Sequence, residues 1–485
     1  MEQIKVEESE IAKRRLCSSC VREQFLRREI ERDGENARCF YCEEEGKTFS
    51  IEKIADRIDD AFEQRFELTP NEPSGFEYSM IKETDYRWHR EGQRVVNAIA
   101  DAADIDGAPA EDIRLVLADR HYDHEREKMG EEGPFDEAAY YTEKGVDDIE
   151  FQTAWSTFES NLKKQARFFS RTAHVTLARI FDGLSAHKTR DGRRAVIDAG
   201  PGNSLVALYR ARVFQSDAKL IEALKRPDLE IGSPPWRSAP AGRMNARGIS
   251  VFYGATNIDT ALAEVRPPVG SRVAVARFEL IRAVRFLDVE VLREVFVEGS
   301  VFDVEHLRRL ERATFLGRLS ERMTRPVMPD DEPFDYVVTQ AIADCLATEM
   351  NLDGMIYPSA QVQLPNANVV VFHHAARIEP LDIPKDTAFT VQLDTYTEDG
   401  SEIDYWVWEK MPPNPAIPPI VEHGPLQMPP ESLDDLLSGE IDDRVSALKI
   451  DISSLEIHHV SGATIVAQPY PVKRYRSNAQ AVKGP

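Results

Sequence analysis

Nowhere in the 485 residues does an apolar run approach the length of about 18 needed for a transmembrane helix, so none is expected. The opening MEQIKVEESEIAKRR lacks the apolar stretch of a secretion signal. Basic residues are in the minority: 60 Lys and Arg face 84 Asp and Glu, a formal net charge of −24. That balance argues against a surface built to wrap nucleic acid. These absences predict a soluble, cytoplasmic protein with neither a membrane nor a nucleic acid as partner. Cysteine is scarce too, with five in the chain, yet four of them are not scattered.

Cys17-Ser-Ser-Cys20 and Cys39-Phe-Tyr-Cys42 form two close pairs separated by residues 21–38. Two such pairs supply four thiolates for a tetrahedral Zn2+, which stabilises a piece too small to have its own core. Disulfides do not suit a chain without a secretion signal. Four thiolates leave no open coordination position, so this zinc is expected to be structural. Cys345 sits in a helical pattern and reads as a small core residue.

What the chain has in quantity is apolar material for cores, 42% of its residues, and length enough for two or three domains. Residues 50–66 predict an amphipathic helix with Ile51, Ile54, Ala55, Ile58 and Phe62 on one face. Further helix is expected near 94–103 and 110–117. Residues 121–150 carry eleven acidic against three basic side chains and predict an exposed connection. Helical periodicity returns over 151–184, with Trp155, Phe158, Leu162, Phe168 and Phe169 as core. Arg167 and His174 have the spacing of the Arg-x(4–6)-His pair of some helical-bundle ribonucleases. Phe168 stands where those enzymes place a polar residue, and the surroundings are acidic, so both are expected to be surface and packing residues.

Residues 193–204, containing Gly200-Pro201-Gly202-Asn203, predict a linker, and Leu205–Phe214 a strand carrying Tyr209, Arg210 and Arg212. Residues 226–241 hold four prolines and read as a loop. The chain is organised around residues 242–280. Ile249–Tyr253 predicts a strand, Thr256 or Asn257 a helix cap, and Pro267-Pro268 the end of that helix. Ile258, Ala261, Leu262 and Val265 fall on one buried face, with Glu264 at its edge. Residues 273–280 predict a half-buried strand with Ala274, Ala276, Phe278 and Leu280 inward. Helices are expected over 304–324 and 334–350, the second with Val337, Ala341, Cys345 and Leu346 inward. Gly354–Ser359 reads as a strand ending in a tight turn, with Ser359 facing a cleft, and Asn368–Phe372 as a buried strand.

Tyr209-Arg210, Gly242-Arg243-Met-Asn with Tyr253, Thr260-Ala-Leu-Ala-Glu264, and Gly354–Ser359 with Asn368–Phe372 together resemble the RES domain. Residues 10–190 resemble the HEPN/RES N-terminal domain. The resemblance implies an α+β protein: an N-terminal zinc-binding and helical domain, then a mixed α/β RES domain similar to the ADP-ribosyltransferase fold. The expected divisions are 1–50 (zinc module), 51–195 (helical, HEPN-like), 203–380 (RES) and 381–485. The last is a C-terminal extension with a Pro-rich insertion over 395–445 and closing strands.

The family's activity would be consumption of NAD as a substrate. Such proteins cleave the nicotinamide–ribose bond, to water or phosphate, or transfer ADP-ribose to a protein. No Gly-x-Gly-x-x-Gly fingerprint occurs, in keeping with NAD as substrate and not as a held redox cofactor. The resemblance assigns Glu264 to the oxocarbenium ion, Ser359 to positioning a hydroxyl or the carboxamide, and Arg210, with Arg212, to the pyrophosphate. Tyr253 would offer a ring for stacking, and Asn368 joins the substrate-binding set. A toxin–antitoxin or phage-defence setting is implied, with an antitoxin or regulatory protein as partner and room for a homo-oligomer. The reading of a different class is a non-enzymatic module that holds a nucleotide.

Overall fold

A computed structural model describes residues 10–167, 170–328, 330–361, 366–397, 400–412, 442–464 and 468–474. Phe168, Phe169 and most of the Pro-rich insertion lie outside the described residues. The chain divides into two compact units, Met1–Val196 with Val289–Met323, and Ile197–Asp288 with Thr324–Pro485. No helix among the described residues is long and apolar enough to cross a membrane.

The first unit opens with three short strands, β1 (Arg15–Cys17), β2 (Glu35–Arg38) and β3 (Glu45–Ser50), in the antiparallel order β1-β3-β2. Helix α1 (Ile51–Arg65) follows at once, because the Ser50 side chain accepts a hydrogen bond from the Lys53 amide. Its Ile51, Ile54, Ala55, Ile58 and Phe62 are buried, the face expected from their spacing. The core they enter also takes Leu16 from β1, Val21 from the turn after it, and Leu26 and Ile30 from the helix Gln24–Asp33. One polar tie crosses it. Asp112, on helix α2 (Gly107–Arg120), accepts both bonds of the Arg14 guanidinium at 2.9 and 2.8 Å and the Tyr41 hydroxyl at 2.6 Å. Burial and this carboxylate push the Tyr41 hydroxyl well above its ordinary pKa.

Residues 121–150 are mostly exposed, as their charge suggests, but they are more than a connection. They include a helix, His124–Met129, and β6 (Tyr140–Glu143), the middle strand of a sheet with β4 (Phe66–Leu68) and β5 (Gln93–Arg94). Phe135 and Tyr141 are buried against Phe62. Two aromatic anchors override a solvated majority, because each buries far more apolar area than an average residue. Further along, Trp155, Phe158 and Leu162 are buried as expected, with Trp155 packed on Phe158 and Phe315. Arg167 donates to the Leu162 carbonyl, and both Arg167 and His174 lie at the surface.

The second unit is built on an eight-stranded sheet of β7 (Val196–Ala199), β8 (Ala207–Phe214), β9 (Phe252–Ala255), β10 (Arg272–Leu280), β11 (Val284–Asp288), β12 (Gly354–Pro358), β13 (Ala367–Val371) and β16 (Leu448–His459). Their order is β16-β10-β8-β9-β13-β12-β11-β7. Most neighbours are antiparallel, and β11 and β12 are parallel. A two-stranded antiparallel ribbon, β14 (Ala388–Thr397) with β15 (Gly400–Lys410), lies where the sequence suggested the start of an insertion.

Three expectations are corrected in this unit. The expected linker 193–204 contains β7, an edge strand of the sheet, and Gly200 turns the chain at φ +99°. A side chain at Gly200 would meet the Arg282 carbonyl at 2.2 Å, so glycine is required by close approach. Strand β10 is buried on both faces, not one: Val273 and Val275 are as enclosed as Ala274 and Phe278. The second face is covered by helix α3 (Ile258–Glu264), whose Ala261 packs with Val273 and Val275. In helix α4 (Glu332–Thr348) the buried stripe is Val338, Ile342, Ala343, Cys345 and Leu346, so Val337 and Ala341 sit at its margin. A mostly apolar helix has two candidate stripes one residue apart, and tertiary packing chooses between them.

One join in the sheet is nearly open. Between β8 and β9 there is a single cross-strand pair, Tyr209 with Ala255, whereas β8 pairs with β10 over eight residues.

Candidate active site

Helix α3 is short because both ends are specified. The Asn257 side chain accepts from the Thr260 amide at 2.9 Å, and Pro267-Pro268 lie just past the other end. Seven residues then carry Glu264 into the last turn, with its side chain exposed at the edge of the packed face. Two donors converge on it from the neighbouring strand region. The Ser359 hydroxyl donates to Glu264 Oε1 at 2.6 Å, and the buried Asn368 amide donates to the same oxygen at 2.7 Å. Ser359 is itself oriented, accepting from the Gln361 amide at 3.1 Å. Glu264 Oε2 receives no hydrogen bond from the described residues. The carboxylate is therefore fixed through one oxygen and presents the other.

Glu264 borders a cleft of about 340 Å3, lined also by Tyr209, Arg210, Arg243, Tyr253, Tyr336, Tyr357 and Asn368. Tyr253 is a pinned wall. Its hydroxyl donates to Asn245 Oδ1 at 2.8 Å and accepts from the Met244 amide at 3.0 Å. Gly242 leaves room for it: a Cβ there would stand 2.6 Å from that hydroxyl. Gln340 of α4 holds the same turn, donating to the Gly242 and Asn245 carbonyls at 2.8 and 3.0 Å. Burial pushes the Tyr253 hydroxyl up to about 12 and that of Tyr357 further up, so both remain protonated, neutral walls.

Arg210 is the charge that lacks an answer. Its Nη1 donates to the Tyr253 carbonyl at 2.7 Å and its guanidinium lies 5.1 Å from the Phe252 ring centre. Its Nε is enclosed without a hydrogen-bond partner, and no carboxylate among the described residues pairs with it. Burial, helped by the nearby Arg212, lowers its pKa to about 10, the signature of an uncompensated cation. Strand alternation puts Arg210 on the sheet face of Leu208 and Phe214, away from α3. It nevertheless borders the cleft, and it also borders a larger groove of about 1300 Å3. Arg210 and Tyr253 line both, beside the stretch where β8 and β9 share only one pair.

The structure thus brings Glu264, Ser359 and Asn368 into direct contact, with Arg210 and Tyr253 on the walls of the same cleft. It does not bring Arg212 there. That side chain is half exposed, donates to the Glu230 carbonyl, lies 3.4 Å from its carboxylate, and lines the larger groove. Tyr336, on the first turns of α4, also lines the cleft. Nothing in its sequence context marked it, since one aromatic in an apolar helix reads as core.

In the first unit the four cysteines meet. Cys17 Sγ stands 3.6 Å from that of Cys20 and 3.5 Å from that of Cys42, and Cys20 Sγ is 3.9 Å from that of Cys39. All four ligand atoms lie within 4.8 Å of one another, an arrangement that could hold a metal ion. Burial would raise the Cys39 thiol, but backbone N–H groups around Cys42 and Tyr41 outweigh it and bring it to about 7.

Residues 212–394 match the family model of the RES domain. Tyr253, Glu264, Ser359 and Asn368 fall inside that span and Arg210 two residues before it. Among solved structures, the crystal structure of the M. tuberculosis MbcT–MbcA toxin–antitoxin complex aligns at 13% identity, over 42% of this chain and 85% of that chain. The TM-score is 0.22, too low for the superposition to carry an argument. A search of curated proteins gave no match.

Proposed function

We propose that this chain, which carries a RES domain over residues 212–394, consumes NAD by breaking its nicotinamide–ribose bond. The observation that carries the reading is the pairing, in one cleft, of an oriented carboxylate with a free oxygen and a guanidinium that no carboxylate neutralises. NAD presents the complement: a ribose carbon that becomes cationic as nicotinamide leaves, and a pyrophosphate.

In the proposed reaction the C–N bond breaks and its electron pair leaves with nicotinamide. Glu264 Oε2 stabilises the oxocarbenium ion, as the positive charge of the nicotinamide ring moves onto the ribose near the transition state. Ser359 and Asn368 keep the carboxylate aimed by holding Oε1. Arg210 binds the pyrophosphate. Water or phosphate then attacks the ribose carbon; with water the products are ADP-ribose, nicotinamide and a proton. Transfer to a protein side chain uses the same first step with another acceptor.

The four thiolates would hold a structural Zn2+. A tetrahedral ion with Zn–S bonds of about 2.3 Å needs sulfurs about 3.8 Å apart; the Cys17–Cys20, Cys17–Cys42 and Cys20–Cys39 separations of 3.6, 3.5 and 3.9 Å fit, and all four sulfurs lie within 4.8 Å of one another. In the cell the reading is a bacterial cytoplasmic toxin, depleting NAD and restrained by an antitoxin or by its own N-terminal unit. Incubating purified protein with NAD and phosphate, and identifying products by mass, tests it. Absence of nicotinamide release would refute the proposal.

A further inference from the structure

A dinucleotide has two halves, and the cleft beside Glu264 has space for one. Its volume of about 340 Å3 is at the bottom of the range of small-molecule sites, about 300–1,000 Å3. The neighbouring groove holds about 1300 Å3, and Arg210 and Tyr253 line both. A ligand occupying both would lie against the guanidinium of Arg210, with which no carboxylate among the described residues pairs.

The character of the groove is unusual for a protein surface. Leu229, Trp236 and Ile249, exposed by 52%, 56% and 42%, all line it. Exposed apolar side chains gathered in one concavity mark a binding site more often than exposed apolar residues scattered singly. Arg237 lies 5.2 Å from the Trp236 ring centre, yet more than half of Trp236 is still open. An indole flanked by arginine is a platform for an aromatic base. Elsewhere in the groove Arg212 is matched by Glu230, and Arg377 and Arg444 by Asp442, whereas Arg210 meets no carboxylate among the described residues and is the place we assign to the phosphates.

We infer that this groove is the subsite for the adenosine half of the substrate, with Trp236 stacking the adenine and Arg210 marking the pyrophosphate between the two halves. The inference rests on the reading of the cleft as an NAD site. It adds that affinity for the substrate is built largely outside the cleft where the bond breaks.

The test separates the two ideas. ADP carries the adenosine and phosphates but no nicotinamide riboside, and its binding to the full-length chain can be measured by calorimetry. ADP should bind wild type and Glu264→Gln with the same Kd within about twofold. Trp236→Ala should weaken it about 10-fold or more, the usual worth of one stacked base, and Trp236→Phe should recover most of the loss. In kinetics, Trp236→Ala should raise KM for NAD while leaving KM for nicotinamide mononucleotide, which has no adenylate, unchanged. Failure of ADP to bind wild type, an unchanged Kd in Trp236→Ala, or equal losses on both substrates would overturn the inference. ADP binding that depends on Trp236 in a protein that releases no nicotinamide would uphold the subsite and sink the proposed reaction instead. Because Trp236 is more than half exposed, its variants should melt with wild type, which excludes misfolding as the cause.

Discussion

Glu264→Gln isolates charge from shape. The glutamine carbonyl can still accept from Ser359 and Asn368, the two bonds of 2.6 and 2.7 Å that fix the wild-type side chain. What disappears is a negative charge beside the reacting ribose. At about 4 Å and an effective dielectric near 20, a carboxylate and a full positive charge attract by about 4 kcal/mol. Glu264 is exposed at the cleft edge, and the oxocarbenium charge is partial, so about 2–3 kcal/mol is the expected loss. That is about 30- to 150-fold in kcat, with KM altered much less because in the ground state the positive charge sits on the nicotinamide ring and reaches the ribose only near the transition state. Nicotinamide release under saturating NAD measures the first, and a concentration series the second. Thermal unfolding of the variant should match wild type within about 0.5 kcal/mol, as for an exposed site. A folded Glu264→Gln protein with kcat within threefold of wild type would refute the assigned role, as would a loss confined to KM.

The buried Asn368 is expected to act through Glu264: Asn368→Ala should lower kcat about 10-fold with KM nearly unchanged, since it removes a charge-assisted hydrogen bond. A pure KM effect would instead place Asn368 on the substrate. Arg210→Ala should raise KM for NAD more than it lowers kcat, Arg210→Lys should not fully restore it, and Arg212→Ala should change little; the reverse order of the two alanine variants would show that the wrong arginine was chosen. Arg210→Met should also stabilise the ligand-free protein by about 1 kcal/mol, because it deletes an uncompensated cation. A lower melting temperature for that variant would mean the guanidinium is compensated locally. Metal analysis should find about one zinc per chain, lost in Cys39→Ser together with stability of the first unit; freshly purified, reduced protein free of zinc contradicts this.

The parts of the site that were legible in the sequence are those set by local rules. The spacing of Ile258, Ala261, Leu262 and Val265, an Asn cap and a Pro-Pro stop were enough to put Glu264 at the edge of a two-turn helix. The Cys pairs were readable because ligand spacing is a local quantity. Which side chains meet Glu264 was not local: Ser359 and Asn368 reach it across 95 and 104 residues, and only the resemblance to a family suggested they belong together. Arg212 shows the limit of period two. Alternation correctly gave it the same face as Arg210, but it could not show that the sheet parts beside Arg210 and that Glu230 waits for Arg212. The acidic stretch 121–150 misled for a different reason, since composition averages over thirty residues and Phe135 and Tyr141 decide the packing alone.

Asp112 has a consequence for anyone who would cut this chain. The Cys17–Cys42 knuckle looks like a portable cassette, ending at Ser50 where a helix begins. Yet Arg14 and Tyr41 both terminate on Asp112, sixty or more residues beyond that cut, and Leu16, Val21, Leu26 and Ile30 share their core with Ile113 and Leu117. Excised at residue 50, the knuckle would carry its four cysteines away but leave its floor behind. The remaining chain would keep a buried carboxylate stripped of both its donors, at a cost of several kcal/mol. Transplanting the knuckle means transplanting the helix that holds Asp112 with it.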